Sequence, residues 1–429
     1  MTHTLMPTAE LGLSALASLM LAALPVYGWR RRGRAYGLFV LLVLVFSIPG
    51  ALLTHARIVG LLPGWAAGVL HAAFAYALLA AGLHLAALVS PRLRPAHFRL
   101  AVSIPAMVFI GGGALCGLWL LALLPIRALL VLAGWHDAVD VLRWLDAVPL
   151  AVAVTAVLTS SRPLEETVRV SLGRDGPPSV SRIPVRRYRR GTPPEADRRP
   201  LRIAQIADPH LGPWQPVAKL RQHIEGLLDR EPDLVLLTGD FLTMEGGGTP
   251  GALGAALAPL RRLPGRCFAI FGNHDHAYPD EVRAALASTN VTLLVDAEVV
   301  VATPIGPVQI LGADYVGRGR RQHIQTLCAR FPRRDGMVRM LLLHDPLGFQ
   351  FVPPGDVDLT VSGHTHGGQL GLVSLGLDWT VLAPTRWPDH GLFAHGANRL
   401  YVHRGTGFYG FPLRIGVPGE VSVLEVLPP

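Results

Sequence analysis

Four long stretches without a single charged residue set the first constraint on this chain: residues 11–29, 35–56, 58–91 and 100–126. A helix needs roughly 20 apolar residues to cross the hydrocarbon core of a bilayer. Four membrane-spanning helices are therefore expected. A fifth candidate, residues 147–161, has only fifteen uncharged positions and reaches spanning length only by taking in residues 141–146, which include Arg143 and Asp146. No basic residue precedes Arg30 and further apolar stretches follow, so a cleaved secretion signal does not fit.

Arginine placement gives the expected orientation. Arg30, Arg31, Arg32 and Arg34 follow the first stretch, and Arg92, Arg94 and Arg99 follow the third, while Arg57 stands alone after the second. Positive loops stay on the cytoplasmic side, which puts the N-terminus outside. A multi-pass protein of the cell membrane is expected. Its C-terminal part is cytoplasmic with five spans and extracytoplasmic with four. His71 and His84 fall inside spans and are expected to be neutral packing groups, because no acidic partner is evident in a span.

The net charge of +9 would ordinarily suggest a nucleic-acid partner. Its location argues otherwise. Residues 1–160 carry +6, residues 161–200 carry +5, and residues 201–429 carry −2. The basic charge belongs to membrane topology and to an Arg/Pro-rich juxtamembrane linker over 161–200, with a short strand near residues 183–188 and anionic headgroups or solvent as its surroundings. No nucleic-acid partner is expected. The three cysteines cannot make a disulfide framework. The division is thus 1–160 transmembrane, 161–200 linker and 201–429 a globular domain.

From residue 201 short apolar runs alternate with helical patterns near 217–230 and 251–262, an α/β arrangement of buried strands. Each run ends on a chemically useful residue. LRIAQIA leads to Asp208 and His210, DLVLLTG to Asp240, RCFAIFG to Asn273, His274 and Asp275, MVRMLLL to His344, and VDLTVSG to His364 and His366. Open α/β sheets place their sites at such strand ends. The donors are oxygen and imidazole without thiolate, which suits Mn²⁺, Fe or Zn²⁺ in a catalytic site. Their number suits two ions sharing a carboxylate, for which Asp240 is well placed.

The series D-x-H, G-D, G-N-H-D, H and G-H-T-H-G-G-Q resembles the calcineurin-like metallophosphoesterases, over about residues 200–427. The pieces T-G-D-F-L-T, L-L-H-x-P and L-Y-V-x-R-G-x-G resemble the bacterial membrane-associated members with multi-span N-terminal regions. Pro209 between Asp208 and His210, and Gly419 before Glu420, depart from the usual wording. The resemblance implies a four-layer αββα sandwich behind an all-α transmembrane region, with two divalent metal ions. Asp208, His210 and His366 would hold one ion and Asn273, His344 and His364 the other, with Asp240 bridging. His274 would act on the leaving group, oriented by Asp275. The implied reaction is hydrolysis of phosphomonoester, phosphodiester or pyrophosphate bonds by water that the metals activate. A membrane anchor suggests a lipid-linked substrate or one at the bilayer surface. The rivals are a non-catalytic docking module, which would have lost ligands, and a transporter or receptor with a regulatory phosphoesterase domain.

Several further residues carry expectations of their own. Gly272, Gly363 and Gly367 would let the backbone approach the ions. His276 is expected at the rim, and His223 and His323 on solvent-facing helix positions. Arg404 and Arg414 would contact phosphate or stand exposed, and Cys267 would pack in the core. Specificity is expected in loops 243–250, 313–321 and 371–387.

Overall fold

The computed structural model describes residues 5–173, 175–188, 199–408, 410 and 413–428. The chain divides into two compact units, one built on residues 1–158 and the other on residues 159–409 and 414–429.

The first unit is helical. Among the described residues five helices are long and apolar enough to cross a membrane: α1 (Leu5–Arg32), α2 (Arg34–Val59), α3 (Gly64–Ala87), α4 (Ala96–Leu132) and α5 (His136–Ser161). The fifth includes the charged stretch that made it doubtful. Asp146 is fully buried and binds Arg57 Nε through Oδ2 at 2.5 Å and Arg127 through Oδ1. Its partners are arginines on α2 and α4, far away in sequence. His71 packs on His55 of α2, ring centroids 4.6 Å apart, and His84 is buried. Helices α2 and α4 approach closely at Gly50 and Gly113, where an added methyl on Gly113 would lie 2.3 Å from the Ser47 carbonyl oxygen.

The second unit holds two seven-stranded sheets. The first runs β3 (Arg186–Tyr188), β1 (Leu164–Ser171), β14 (Glu420–Leu427), β4 (Leu201–Ile206), β5 (Leu234–Leu237), β6 (Cys267–Ala269), β7 (Thr292–Leu293). The second runs β2 (Ser181–Arg182), β12 (Gly391–His395), β13 (Asn398–Val402), β11 (Leu359–Ser362), β10 (Val338–Leu343), β9 (Gly306–Ala313), β8 (Ala297–Thr303). Strands β4 to β7 are parallel, as are β9, β10, β11 and β13.

The sheets pack face to face. Ile203, Leu236 and Phe268 of the first share a core with Ile310, Leu342 and Val361 of the second. Strand β10 shows why its sequence closes on an unbroken apolar run, Met340–Leu343, after the buried Arg339. Met340 and Leu342 face the other sheet, while Leu341 and Leu343 pack with Ile324 and Leu327 of the helix Arg320–Arg330 on the outside. A strand buried on both faces has no polar alternation. On the other side, α6 (Val217–Leu228) lies beside β14 and against α7 (Ala252–Leu257), which packs on α8 (Pro279–Ser288); the outer helix Arg320–Arg330 is α9.

The stretch expected as a linker is partly sheet. Strand β1 pairs in parallel with β14 over eight residues, and β2 and β3 each add an edge strand. Its sequence, LEETVRVS, hides this because only Val168 and Val170 face the core. Residues 189–198 lie outside the described residues.

Candidate metal centre

The expected residues converge where the parallel strands end. Asp208 and His210 follow β4, Asp240 follows β5, Asn273 and His274 follow β6, His344 follows β10, and His364 and His366 follow β11. Five of them, Asp208, His210, Asp240, His364 and His366, have positive φ, between 44° and 71°. Non-glycine residues rarely adopt this region, and such strain persists where the surroundings impose it. Here the strained turns after β4, β5 and β11 meet the residues that follow β6 and β10.

Two clusters result. Donor atoms of Asp208, His210 and His366 lie within 4.8 Å of one another, as do those of Asp240, His344 and His364. His210 Nε2 is 3.2 Å from His366 Nε2, and His344 Nε2 is 3.1 Å from both His364 Nδ1 and Asn273 Oδ1. Two nitrogens bound to one ion at ~2.0–2.1 Å in tetrahedral geometry would stand about 3.3 Å apart. Asp240 Oδ2 faces both clusters, 3.7 Å from His210 Nε2 and 3.4 Å from His344 Nε2. Its Oδ1 accepts the His274 amide at 2.9 Å, which fixes the carboxylate. Glycines clear the space: an added methyl on Gly272 would lie 2.2 Å from Asp240 Oδ1, and one on Gly363 2.2 Å from Asp208 Oδ2.

The electrostatics fit cations. Burial pushes the Asp208 carboxyl up to about 7, with Asp240 adding to the push and His344 opposing it. Burial likewise lowers His210 to about 3 and His364 to about 4, leaving neutral imidazoles with lone pairs to donate. His344 goes the other way, to about 10, because Asp240 outweighs the cost of burial. Burial thus disfavours the charged form of Asp208 and leaves His210 and His364 neutral, an environment whose cost a bound divalent cation would offset.

Asp275 is placed differently from its expected role. Its carboxylate accepts the amides of Asp240 at 2.7 Å, Phe241 at 2.8 Å and Gly272 at 2.8 Å. Both oxygens therefore serve the backbone of the β5 and β6 turns. Burial pushes it up to about 7, with Asp240 adding to the push and the Gly272 and Phe241 amides opposing it. His274 is half-buried and meets His210 edge to face, centroids 5.4 Å apart.

Other expectations are corrected. Arg404 and Arg414 are buried and neither stands exposed. Arg404 binds Glu166 of β1 at 2.7 Å and Glu420 at 3.2 Å. Arg414 donates to the carbonyls of His366, Arg404 and Gly407, and backs the His366 ring from 3.2 Å. His323 pairs with Asp296 at 2.8 Å, and His223 Nδ1 lies 3.0 Å from Gln215 Nε2, so neither simply faces solvent. His276 does sit at the rim, 3.1 Å from Asp314. Cys267 is buried in β6. Sequence reasoning missed Tyr315, centroid 5.9 Å from His344 and 6.2 Å from His364, and Trp387, 6.5 Å from His364. They come from loops with no periodic signal.

The family model for calcineurin-like phosphoesterases matches residues 201–368. Phosphodiesterase YaeI of Escherichia coli is 30% identical over 233 residues, covering 53% of this chain and 83% of that protein. An uncharacterised metallophosphoesterase of Helicobacter pylori strain J99 is 29% identical, covering 53% of this chain and 60% of its own length. A bovine transmembrane protein with a metallophosphoesterase domain is 29% identical over 337 residues, 69% of each chain. The chain belongs to the calcineurin-like phosphoesterases, metal-dependent hydrolases of phosphoester bonds, and among its described residues carries five membrane-capable helices ahead of that domain.

Proposed function

We propose that this is a membrane-anchored phosphoesterase working with two divalent cations, Mn²⁺, Fe or Zn²⁺, on phosphomonoesters, phosphodiesters or pyrophosphates at the bilayer surface. The observation that carries the reading is Asp240, whose free oxygen faces two separate ligand clusters. Asp208, His210 and His366 would hold one cation, and Asn273, His344 and His364 the other, with Asp240 shared.

Divalent cations in such a pair supply Lewis-acid charge to phosphoryl oxygens and activate water near neutral pH. The chain supplies the rest. The His274 amide keeps Asp240 turned toward both clusters, and Arg414 backs the His366 ring. The His274 imidazole gives a proton or positive charge to the leaving oxygen, a contribution typically worth ~10²–10⁴-fold. Tyr315 and Trp387 flank His364, with ring centroids 6.2 and 6.5 Å away. With five spans and the N-terminus outside, the catalytic domain faces the cytoplasm.

The test is a substrate panel on the purified full-length protein with Mn²⁺: soluble nitrophenyl esters, nucleotides, and phospholipid-linked diesters in vesicles. Faster turnover of a lipid-linked ester supports the reading. Far better cleavage of soluble nucleotides than of any lipid contradicts it. A reporter fused after Pro429 reads the orientation.

A further inference from the structure

Of the nine exposed large apolar side chains among the described residues of the sheet domain, six lie in one loop: Leu372, Leu375, Leu377, Trp379, Val381 and Trp387. Leu375 is 74% exposed and Trp379 48%. Exposed large apolar side chains gathered on one loop are the kind of surface that marks an interaction site. We propose that the loop 372–387 sits in the interfacial layer of the bilayer and brings lipid-borne phosphoesters to the metal centre; the second half of this statement rests on the function proposed above.

The loop is built for that environment. Several of its backbone groups are paired: within the loop Leu372 N donates to Trp379 O at 2.8 Å and Leu375 N to Leu372 O at 2.9 Å, and at its base Val381 N donates to Leu370 O at 2.9 Å and Ser374 N to Gly416 O at 2.8 Å. Backbone groups entering a membrane need such partners. Tryptophan favours the headgroup boundary, and two are present. The one carboxylate, Asp378, is 56% exposed and lies 3.8 Å from His390 Nε2, and Arg386 beside it in the loop is exposed and suits anionic headgroups.

The bilayer is the favoured occupant because the chain carries its own. Helix α5 ends at Ser161 and β1 begins at Leu164, so every copy of the sheet domain is tethered to membrane-capable helices by two residues. The loop also begins directly after the turn bearing His364 and His366. A methyl on Gly368 would lie 3.0 Å from the Leu382 side chain, so the loop's base rests on that turn. A substrate with its tails in the bilayer and its phosphate at the site would pass along this loop.

A nitroxide on Leu375→Cys tests immersion in the full-length chain in nanodiscs of phosphatidylethanolamine and phosphatidylglycerol; the native Cys116, Cys267 and Cys328 are buried. The control label is on Asp280→Cys, whose side chain is fully exposed on α8. Relaxation by oxygen rather than by a water-soluble nickel chelate at position 375, and the reverse at 280, is the expected result. Nickel-dominated relaxation at both positions overturns the proposal, and so does spin–spin broadening at 375, which would place a second copy on the loop. The double variant Leu375→Ser/Trp379→Ser should lower the ratio of vesicle-borne to soluble ester turnover at least tenfold. An unchanged ratio overturns the delivery role. A wild-type protein that cleaves soluble esters but no lipid overturns the lipid substrate instead, while the label still reports on the loop.

Discussion

Asp275 positions Asp240 without touching its carboxylate: Asp275 Oδ2 accepts the Asp240 amide at 2.7 Å and the Gly272 amide at 2.8 Å, so one buried oxygen ties together the turns after β5 and β6. Replacing Asp275 by Asn sets an amide donor either against both of these N–H groups or against that of Phe241, which bonds to Oδ1. Leaving a buried amide unpaired costs about 1–3 kcal/mol. Asp275→Asn should lower thermal stability and weaken cation binding at the Asp240 cluster, read by melting and by calorimetric metal titration. Unchanged affinity would show that the turns hold without it.

His274→Ala should separate binding from chemistry. Both cations should remain, because the clusters are complete without His274, while turnover falls ~10²–10⁴-fold, the usual range for a general acid. Metal analysis and kcat on the same preparation decide it. A variant that loses a cation would make His274 a ligand.

The pair His323–Asp296 predicts a pH dependence of stability. The hydrogen bond to Asp296 raises His323 above its ordinary value. Asp296 is lowered: its partial burial works against that, but His323 and the Asp314 amide outweigh it. A raised histidine stabilises fully below its unfolded value and loses this as pH climbs through the folded one. A lowered carboxylate stabilises above its unfolded value and loses this as pH falls through the folded one. The contribution should therefore be greatest between about pH 4 and 6.5. Asp296 is partly exposed, so the gain is about 1 kcal/mol or less. The melting difference between the wild type and His323→Gln should be widest in that window and shrink above it; a difference flat with pH contradicts the pair.

In the helical unit, Asp146→Asn leaves Arg57 and Arg127 without their counter-charge. Breaking a buried pair typically costs about 3–5 kcal/mol. The detergent-solubilised variant should melt well below the wild type, and Asp146→Glu should recover part of the loss.

The ends of the parallel strands were legible in the sequence, because strands such as β10 are apolar on both faces and stop on the residue that carries chemistry. The residues that converge in the two clusters could be named from that pattern together with the family motifs. The roles of Asp275, Arg404 and Arg414 were not legible, since each depends on backbone or on partners brought near only by folding: Glu166 lies in β1, 238 residues before Arg404. Strand β1 itself was masked by its charged face, and Asp146 looked like an interruption of a span because its arginine partners sit on other helices.

The most direct measurement is metal stoichiometry of the full-length protein alongside hydrolysis of a phosphodiester, in wild type and Asp240→Asn. Sharing of Asp240 between the two clusters predicts two divalent ions per wild-type chain, activity lost to chelation and restored by Mn²⁺, and loss of cation binding with nearly all turnover in Asp240→Asn. Two ions and undiminished turnover in the variant would contradict it.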